Sequence, residues 1–286
     1  MIQDISPRKF HIEYVSAQPS DGDFMLCFDR EMRGIYIKKS ADASESITFP
    51  LVGEVKYSGE ARYLFSIDDT RFFFAEDADC AVPDDFEAVG LRQLRHAQPG
   101  WLAFAGAVGF RLRTWYRDNR FCGRCGAKLR HSETERAMVC PDCGNVIYPT
   151  ICPSVIVAVT NGDRLLLTRY QRSHSVYQNY ALCAGYIETG ETAEDAVRRE
   201  IMEEVGLRVR NIRYYKSQPW PFSGALLIGF FCEVDGSDVI TRDDSELSEA
   251  VWVARADIPD RSNDVSMTSE MIELFRQGHE PKPNGR

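Results

Sequence analysis

The 286-residue chain contains no apolar run of about 18 residues, the length a helix needs to cross a bilayer. Its opening residues, MIQDISPRKF, lack the basic and apolar regions of a secretory signal. A cytoplasmic protein with no membrane partner is therefore expected. Positive charge is also scarce: 34 Lys and Arg against 43 Asp and Glu leave a formal net charge of −9. That balance argues against a mainly electrostatic grip on a nucleic-acid backbone, although it is compatible with a local basic groove. An even set of cysteines, the mark of a disulfide framework, is missing as well. There are nine, four of them in paired spacing, which points to metal binding in a reducing compartment. What is present is ordinary for a globular protein, 44% hydrophobic and 27% charged residues, with length for about two domains.

Residues 1–83 read as a small β-rich N-terminal domain. Short β-like runs at Phe24 to Phe28, Gly34 to Ile37, Val55 to Tyr57 and Arg71 to Phe74 are broken by Gly, Asp and Ser clusters. No cluster of catalytic residue types stands out there, and His11 and Cys27 read as structural or incidental. Residues 84–119 turn helical, with Phe86, Val89, Leu91 and Leu94, a break at Pro99-Gly100, and a second run from Trp101 to Trp115. This stretch reads as a helical connector between domains. Within residues 120–149, Cys122-x-x-Cys125 and Cys140-x-x-Cys143 are separated by fourteen residues, and a glycine follows each pair. Four thiolates so spaced can hold one Zn²⁺ in a closed, structural site. A pair of disulfides or a redox motif fits the spacing less well. Zinc ribbons of this kind often bind nucleic acid.

Residues 150–278 carry the richest pattern. Ser154 to Thr160 reads as a buried strand, Asn161-Gly162 as a hairpin turn and Arg164 to Thr168 as its partner. Arg169 to Asn179 reads as a polar loop. Further strands are expected at Val209 to Ser217, Ala225 to Val234 and Ala250 to Ala254, and a last helix at Ser266 to Gln277. Strands flanking helices give an α/β class with a mixed sheet. Residues 279–286 read as a disordered tail.

The stretch Gly185 to Leu207, GYIETGETAEDAVRREIMEEVGL, holds the chemistry. Thr192 with Asp195 starts a helix in the manner of a capping box, and Gly206 sits where a left-handed cap would end it. Glu200, Glu203 and Glu204 then share an arc of roughly 100°. Like charges so close repel each other, so the face makes most sense around a cation. Oxygen-only ligands suit Mg²⁺ or Mn²⁺. The competing reading is a solvated acidic face. Against it stands the whole arrangement: Gly185, Glu191, Arg199-Glu200-Ile201, Glu203-Glu204 and Gly206-Leu207 occupy every fixed position of the Nudix box.

The chain thus resembles the Nudix hydrolases. Ser217-Gln218-Pro219-Trp220-Pro221-Phe222, downstream of the box in a chain with a four-cysteine ribbon, is similar to the signature of the NADH pyrophosphatase (NudC-like) branch. The resemblance implies a Nudix α/β/α sandwich with a mixed sheet, preceded by the zinc ribbon and the β-rich domain. It implies metal-dependent hydrolysis of the pyrophosphate of NADH or NAD⁺ to nicotinamide mononucleotide and AMP, and removal of NAD caps from RNA. The implied Mg²⁺ or Mn²⁺ ligands are Glu200, Glu203, Glu204, Glu246 and the carbonyl of Ala184. Glu203 is expected as the base, with Glu246 second. The substrate is expected to meet Tyr186, Gln218 and Trp220, with Tyr148 reaching the ring from the partner of a homodimer. Arg199 is expected to pair with Glu191. One departure stands out: Ser223-Gly224 replaces the Pro-x-Ser usual after the signature, which keeps open another nucleoside diphosphate such as ADP-ribose. A non-catalytic nucleotide or nucleic-acid sensor built on the ribbon is the alternative from another class.

Overall fold

A computed structural model describes residues 1–29, 34–40, 43–75, 80–171, 180–260 and 265–282. It divides into two compact units, residues 2–150 and residues 151–286 together with Met1. Helix and ribbon thus belong with the N-terminal domain. Part of the expected polar loop, 172–179, and the last four residues of the expected tail lie outside the described residues.

The N-terminal unit opens with β1 (Phe10–His11), β2 (Phe24–Met25), β3 (Gly34–Ser40) and β4 (Ala43–Thr48). It continues with β5 (Ala61–Ile67), β6 (Thr70–Ala75), β7 (Glu87–Gly90) and the helix α1 (Gly100–Asp118). One sheet runs β1-β5-β6-β2, another β4-β3-β7. In β6 the run Phe72-Phe73-Phe74 is wholly buried because successive side chains point to opposite faces and both faces are covered. Phe72 packs on Phe24 and Phe65, at 5.3 and 5.0 Å between ring centres, while Phe73 meets Tyr63 at 5.6 Å. The helical reading of residues 84–98 is replaced by a strand and a short 3-10 helix, Leu91–His96. Val89 is buried opposite Ile35 of β3, and ladder pairing there outweighs a weak helical period. Val55 to Tyr57 forms no strand beyond an isolated bridge between Lys56 and Ala81.

After α1 comes the ribbon, with β8 (Arg130–His131), β9 (Met138–Val139) and β10 (Val146–Ile147) in one antiparallel sheet. Arg136 ties its hairpin to the β-rich domain, donating to the carbonyls of Ile12, at 3.0 Å, and Leu64. Tyr14 adds a bond to the carbonyl of Ser132 at 3.2 Å.

The second unit contains β11 (Cys152–Asn161), β12 (Arg164–Tyr170), β13 (Cys183–Tyr186), α2 (Ala193–Val205), β14 (Val209–Trp220), β15 (Ala225–Val234), β16 (Leu247–Ala254) and α3 (Met267–Arg276). The sheet runs β14-β15-β11-β12-β16 with β13 also on β11; β11 and β15 are parallel and the other pairs antiparallel. This is the mixed-sheet sandwich expected. Its central strand shows why. Val155, Val157 and Val159 pack with Ala196, Val197, Ile201 and Val205 of α2, whereas Ile156 and Ala158 pack with Met267, Met271 and Phe275 of α3. A continuous apolar run is what a strand covered on both faces requires. Residues 279–282, expected to be disordered, are instead tied down: Arg255 binds Glu280 at 3.2 Å and Arg213 donates to the carbonyl of Pro281 at 3.0 Å.

In the N-terminal unit, α1 approaches the β-layer at Gly109, where an added Cβ would lie 2.1 Å from Cδ1 of the fully buried Leu26. Gly109→Ala should gain about 1 kcal/mol of helix propensity but lose more to overpacking, about 1–3 kcal/mol. A thermal melt should therefore show a lowered midpoint for the N-terminal unit. A raised one would show that Leu26 has room to turn aside.

Candidate functional site

The acidic stretch forms as expected. Thr192 caps α2, its Oγ1 accepting from the Asp195 amide at 3.1 Å, and Gly206 closes it with φ of 70°. The carboxylates of α2 are then sorted by one guanidinium. Arg199 donates through Nε and Nη2 to both oxygens of Glu191, each at 2.8 Å. Through Nη1 it binds Glu200 at 2.7 Å and Glu203 at 3.0 Å, and through Nη2 the carbonyl of Tyr186 at 2.9 Å. The fork holds the carboxyl of Glu191 down at about 2. Glu200 is packed so close to β13 that a Cβ on Gly185 would lie 1.9 Å from its carboxyl carbon. A larger residue there would push the Glu200 carboxyl from its bond with Arg199.

Glu204 points into the unit. It is 2% exposed, and one oxygen takes a long bond from the Ala184 amide, at 3.4 Å, while its Oε2 is buried with no partner. Burial first, with the charges of Glu200 and Glu246 added and against hydrogen bonds from the Cys183 thiol and the Ala184 amide, pushes its carboxyl up to about 8. Glu200 is raised too, by burial above all, against the pull of Arg199. Tyr170 joins the same group: burial raises its phenol, and Glu204, Cys183, Glu246 and Glu200 push it further. Glu200, Glu204 and Glu246 therefore act on one another electrostatically, and their repulsion is costly without a counter-charge.

The downstream acidic loop also sorts itself. Asp243 accepts from the amide and hydroxyl of Ser245 at 2.8 and 2.7 Å, and Asp244 is paired with Arg242 at 2.5 Å. Glu249 is held by Arg169 at 3.3 Å and by the Tyr180 hydroxyl at 3.0 Å. Of these neighbours, Glu246 is the one felt by Glu200 and Glu204. A hard divalent ion fits this donor set: an orphaned buried oxygen, several carboxylates and a backbone strand beside them.

Of the residues expected to meet substrate, Tyr186 is 54% exposed at the end of β13 in one unit, and Tyr148 is 55% exposed in the other, its hydroxyl donating to Glu135 at 3.1 Å. Trp220 is half-buried and packs on Phe222 at 4.8 Å. Gln218 has a different position from the pocket-lining one anticipated. It is fully buried, its amide donating to the carbonyl of Val265 at 3.1 Å and accepting from the amide of Met267 at 2.7 Å. It fastens the start of α3 to β14. The unusual Ser223-Gly224 closes a tight turn, both amides donating to the carbonyl of Trp220, at 3.3 and 2.9 Å, with Gly224 at φ of 82°. The sequence offered no signal for Tyr170 or Cys183, which belong to no motif and reach Glu204 only through strand packing.

In the ribbon, the sulfurs of Cys122, Cys125, Cys140 and Cys143 all lie within 4.8 Å of one another. Cys122 and Cys143 are 3.6 Å apart, Cys125 and Cys140 3.4 Å. Thiolates placed tetrahedrally at about 2.3 Å from zinc would be separated by about 3.8 Å, so small shifts complete the site. The backbone amide of Arg124 donates to Cys122 at 3.4 Å and holds that thiol down at about 6, ready as a thiolate. Four sulfurs leave no open position for chemistry.

Residues 150–275 match the NUDIX domain family, and residues 117–148 match the NADH pyrophosphatase zinc ribbon domain. The chain thus carries a Nudix domain behind a zinc ribbon of the NADH pyrophosphatase type. Among curated proteins it is 41% identical over 169 residues to "NAD-capped RNA hydrolase NudC" of Salmonella typhi and, equally, of Shigella flexneri, covering 59% of this chain. It spans 64% of the length of those relatives. Among solved structures, a NUDIX hydrolase from Nitrosomonas europaea is similar at a TM-score of 0.48 and 23% identity, over 57% of this chain and 94% of its own.

The buried carboxyl of Glu204 generates a pH-dependent prediction. Its ordinary value of 4.5 is raised to about 8, so the stability it contributes is complete below about pH 4.5 and lost as pH rises through about 8. A divalent ion would take the place of the proton. Adding Mg²⁺ or Mn²⁺ should raise the melting temperature strongly above that pH and little near pH 5, and Glu204→Gln should flatten both dependences. An undiminished metal shift in the variant would place the ion elsewhere. Separately, Cys140→Ser should bring zinc, measured by elemental analysis, below one per chain and lower the melting of the N-terminal unit. Full zinc content in that variant would sink the four-sulfur site.

Proposed function

We propose that the chain hydrolyses the pyrophosphate bond of NADH and NAD⁺ to nicotinamide mononucleotide and AMP, and removes NAD caps from RNA. The observation that carries this reading is the partnerless buried oxygen of Glu204 among Glu200, Glu246 and the backbone of Ala184, on the helix that bears the box. The zinc ribbon type and the relatives named as NAD-capped RNA hydrolases support the choice of dinucleotide.

Glu200, Glu204 and Glu246, with Glu203 and the Ala184 carbonyl, would hold Mg²⁺ or Mn²⁺. When bound, such an ion neutralises phosphoryl oxygens and lowers the pKa of water, the two obstacles to attack on a diphosphate. Glu203, the most exposed of the three box glutamates at 59%, would accept a proton from water, with Glu246 second. Arg199 fixes Glu200 and Glu203 on the helix and keeps the loop from Tyr186 to Glu191 against it. Tyr186 and Trp220 offer flat faces for the rings, and Tyr148 of the partner subunit completes the site in a homodimer. Gln218 acts through the segment it anchors, by holding β14 and α3 in register.

A second reading, ADP-ribose or another nucleoside diphosphate derivative, draws on the Ser223-Gly224 turn beside Trp220. A panel of substrates separates the two. With Mg²⁺ or Mn²⁺ present, nicotinamide mononucleotide should be released from NADH faster than ADP-ribose is cleaved; equal or reversed rates would end the substrate assignment. Glu203→Gln should lower kcat by about 10²–10⁴-fold with the melting temperature preserved. A mild loss there with a severe one in Glu246→Gln would exchange their roles.

A further inference from the structure

The acidic turn that carries Glu246 is held by a residue outside both the box and the signature. Residues 244–246 form a turn just ahead of β16, so the alternation of the strand does not set the direction of Glu246. Gln171, the first residue beyond β12, meets this turn three times. Its backbone amide donates to the carbonyl of Glu246 at 2.8 Å, and its side-chain Nε2 donates to the carbonyls of Asp244 and Leu247, each at 3.2 Å. One residue thus holds the chain before Glu246, at it and after it.

The end of the β12–β16 ladder is built to bring Gln171 there. Arg169 pairs with Glu249 and Tyr170 with Leu247, which leaves Ser248 as the extra residue of a β-bulge. The Ser248 hydroxyl bridges the irregularity, donating to the carbonyls of Arg169 and Tyr170 at 3.2 and 3.1 Å. Leu247 fixes the register, because it is fully buried in the core that α2 covers and a slip of one residue would turn it outward. From the other side the turn is tied to α2. The amide of Asp243 donates to the carbonyl of Glu204 at 2.9 Å, and the amide of Leu247 to the carbonyl of Asp243 at 3.0 Å. The turn is therefore strung between β12 and the helix that bears the box, with Glu246 in the span.

All three of these bonds from Gln171 fall on carbonyls. Among the described residues, no hydrogen bond or ion pair reaches the carboxylate of Glu246, whereas Asp243, Asp244 and Glu249 are engaged by Ser245, Arg242 and Arg169. An amide suits this task. It donates to carbonyls without bringing a charge beside the carboxylate, where an Arg or Lys would pair with it and compete with a cation.

We propose that Gln171 is the positioning residue for Glu246, fixing the backbone on both sides of that carboxylate and so aiming it at the cation site of Glu200 and Glu204. The proposal rests on the reading of Glu246 as part of that site. Groups that orient a metal ligand in this way are worth about 10–100-fold in affinity or activity.

The test is Gln171→Leu in the full-length, zinc-loaded protein, which removes both side-chain donors and keeps the backbone one. With NADH and a fixed concentration of Mn²⁺, kcat should fall about 10–100-fold while KM stays close to that of the unaltered protein. Mn²⁺ affinity, followed without substrate by the paramagnetic resonance of the free ion, should fall about 10-fold. In a Glu246→Gln background the same substitution should add little, because the group it positions is already lost. A role in stability alone would cost as much in both backgrounds. That result would overturn the proposal, as would unchanged kcat and Mn²⁺ affinity in the single variant. A fall in kcat alone supports it with Glu246 as the base, and a fall in Mn²⁺ affinity supports it with Glu246 as a ligand. Ser248→Ala, which removes the bridge across the bulge, should act in the same direction and serves if Gln171→Leu fails to fold. Absence of NADH hydrolysis in the unaltered protein would count against the hydrolase reading, and Mn²⁺ affinity would then decide the role of Gln171 by itself.

Discussion

One guanidinium organises the C-terminal unit. Arg199 reaches Glu191 with a two-bond fork, Glu200 and Glu203 with a shared nitrogen, and the carbonyl of Tyr186 with another. These partners come from the helix itself and from the loop before it, so the same group that offsets the carboxylates also fixes the loop's path. Three glutamates within one arc of a helix would otherwise repel each other by several tenths of a kcal/mol per pair. Arg199 compensates only the outer side. Glu204 faces inward, where no arginine reaches, toward Glu200 and Glu246. The carboxylates are thus divided into a set neutralised by Arg199 and one, Glu204, that Arg199 does not reach.

The division depends on the sandwich beneath it. Because Val155, Val157 and Val159 face α2 while Ile156 and Ala158 face α3, the central strand is gripped on both sides and cannot slip by one residue without exposing both sets. That fixes β13, which pairs with the same strand at Ser154 through Val157, and hence places Gly185 against Glu200 and Ala184 against Glu204. Far along the chain, Gln218 does equivalent service for α3. Its burial shows that a residue within a signature can matter through packing as much as through contact with a ligand.

How much of this was legible in the sequence follows from range. The α2 cap at Thr192, the left-handed Gly206, the hairpin at Asn161-Gly162 and the four-cysteine spacing are local, and each appears where the residues placed it. The pairing of Arg199 with Glu191 spans eight residues and was legible through the box. What was not legible is non-local. Residues 84–98 read as helix, yet β3 claimed Val89 for a ladder. That Asp243, Asp244 and Glu249 are engaged by Ser245, Arg242, Arg169 and Tyr180, while Glu246 acts on Glu200 and Glu204, could not be read from the sequence. The joint between ribbon and β-rich domain depends on Arg136 meeting backbone more than seventy positions away, which no spacing announces.

Glu204 shows why so tightly packed a unit keeps a flaw at its centre. A buried oxygen without a partner costs about 1–3 kcal/mol, and more when its group is ionised. The surroundings are otherwise apolar or committed: Val205 and Ile201 beside it are fully buried, and the Cys183 thiol and Ala184 amide bond its carboxyl. An amide or apolar side chain at this position would be the more stable choice for a protein with only a fold to maintain. The same reasoning does not extend to the ribbon, where four sulfurs face one another and no oxygen is left over. Soft thiolates closing on themselves suit an ion that holds structure, whereas an unsatisfied carboxylate beside two others suits an ion that must also meet a phosphate. The donor sets of the two units are therefore chemically distinct, and the carboxylate set lies where the fold accepts a loss of stability.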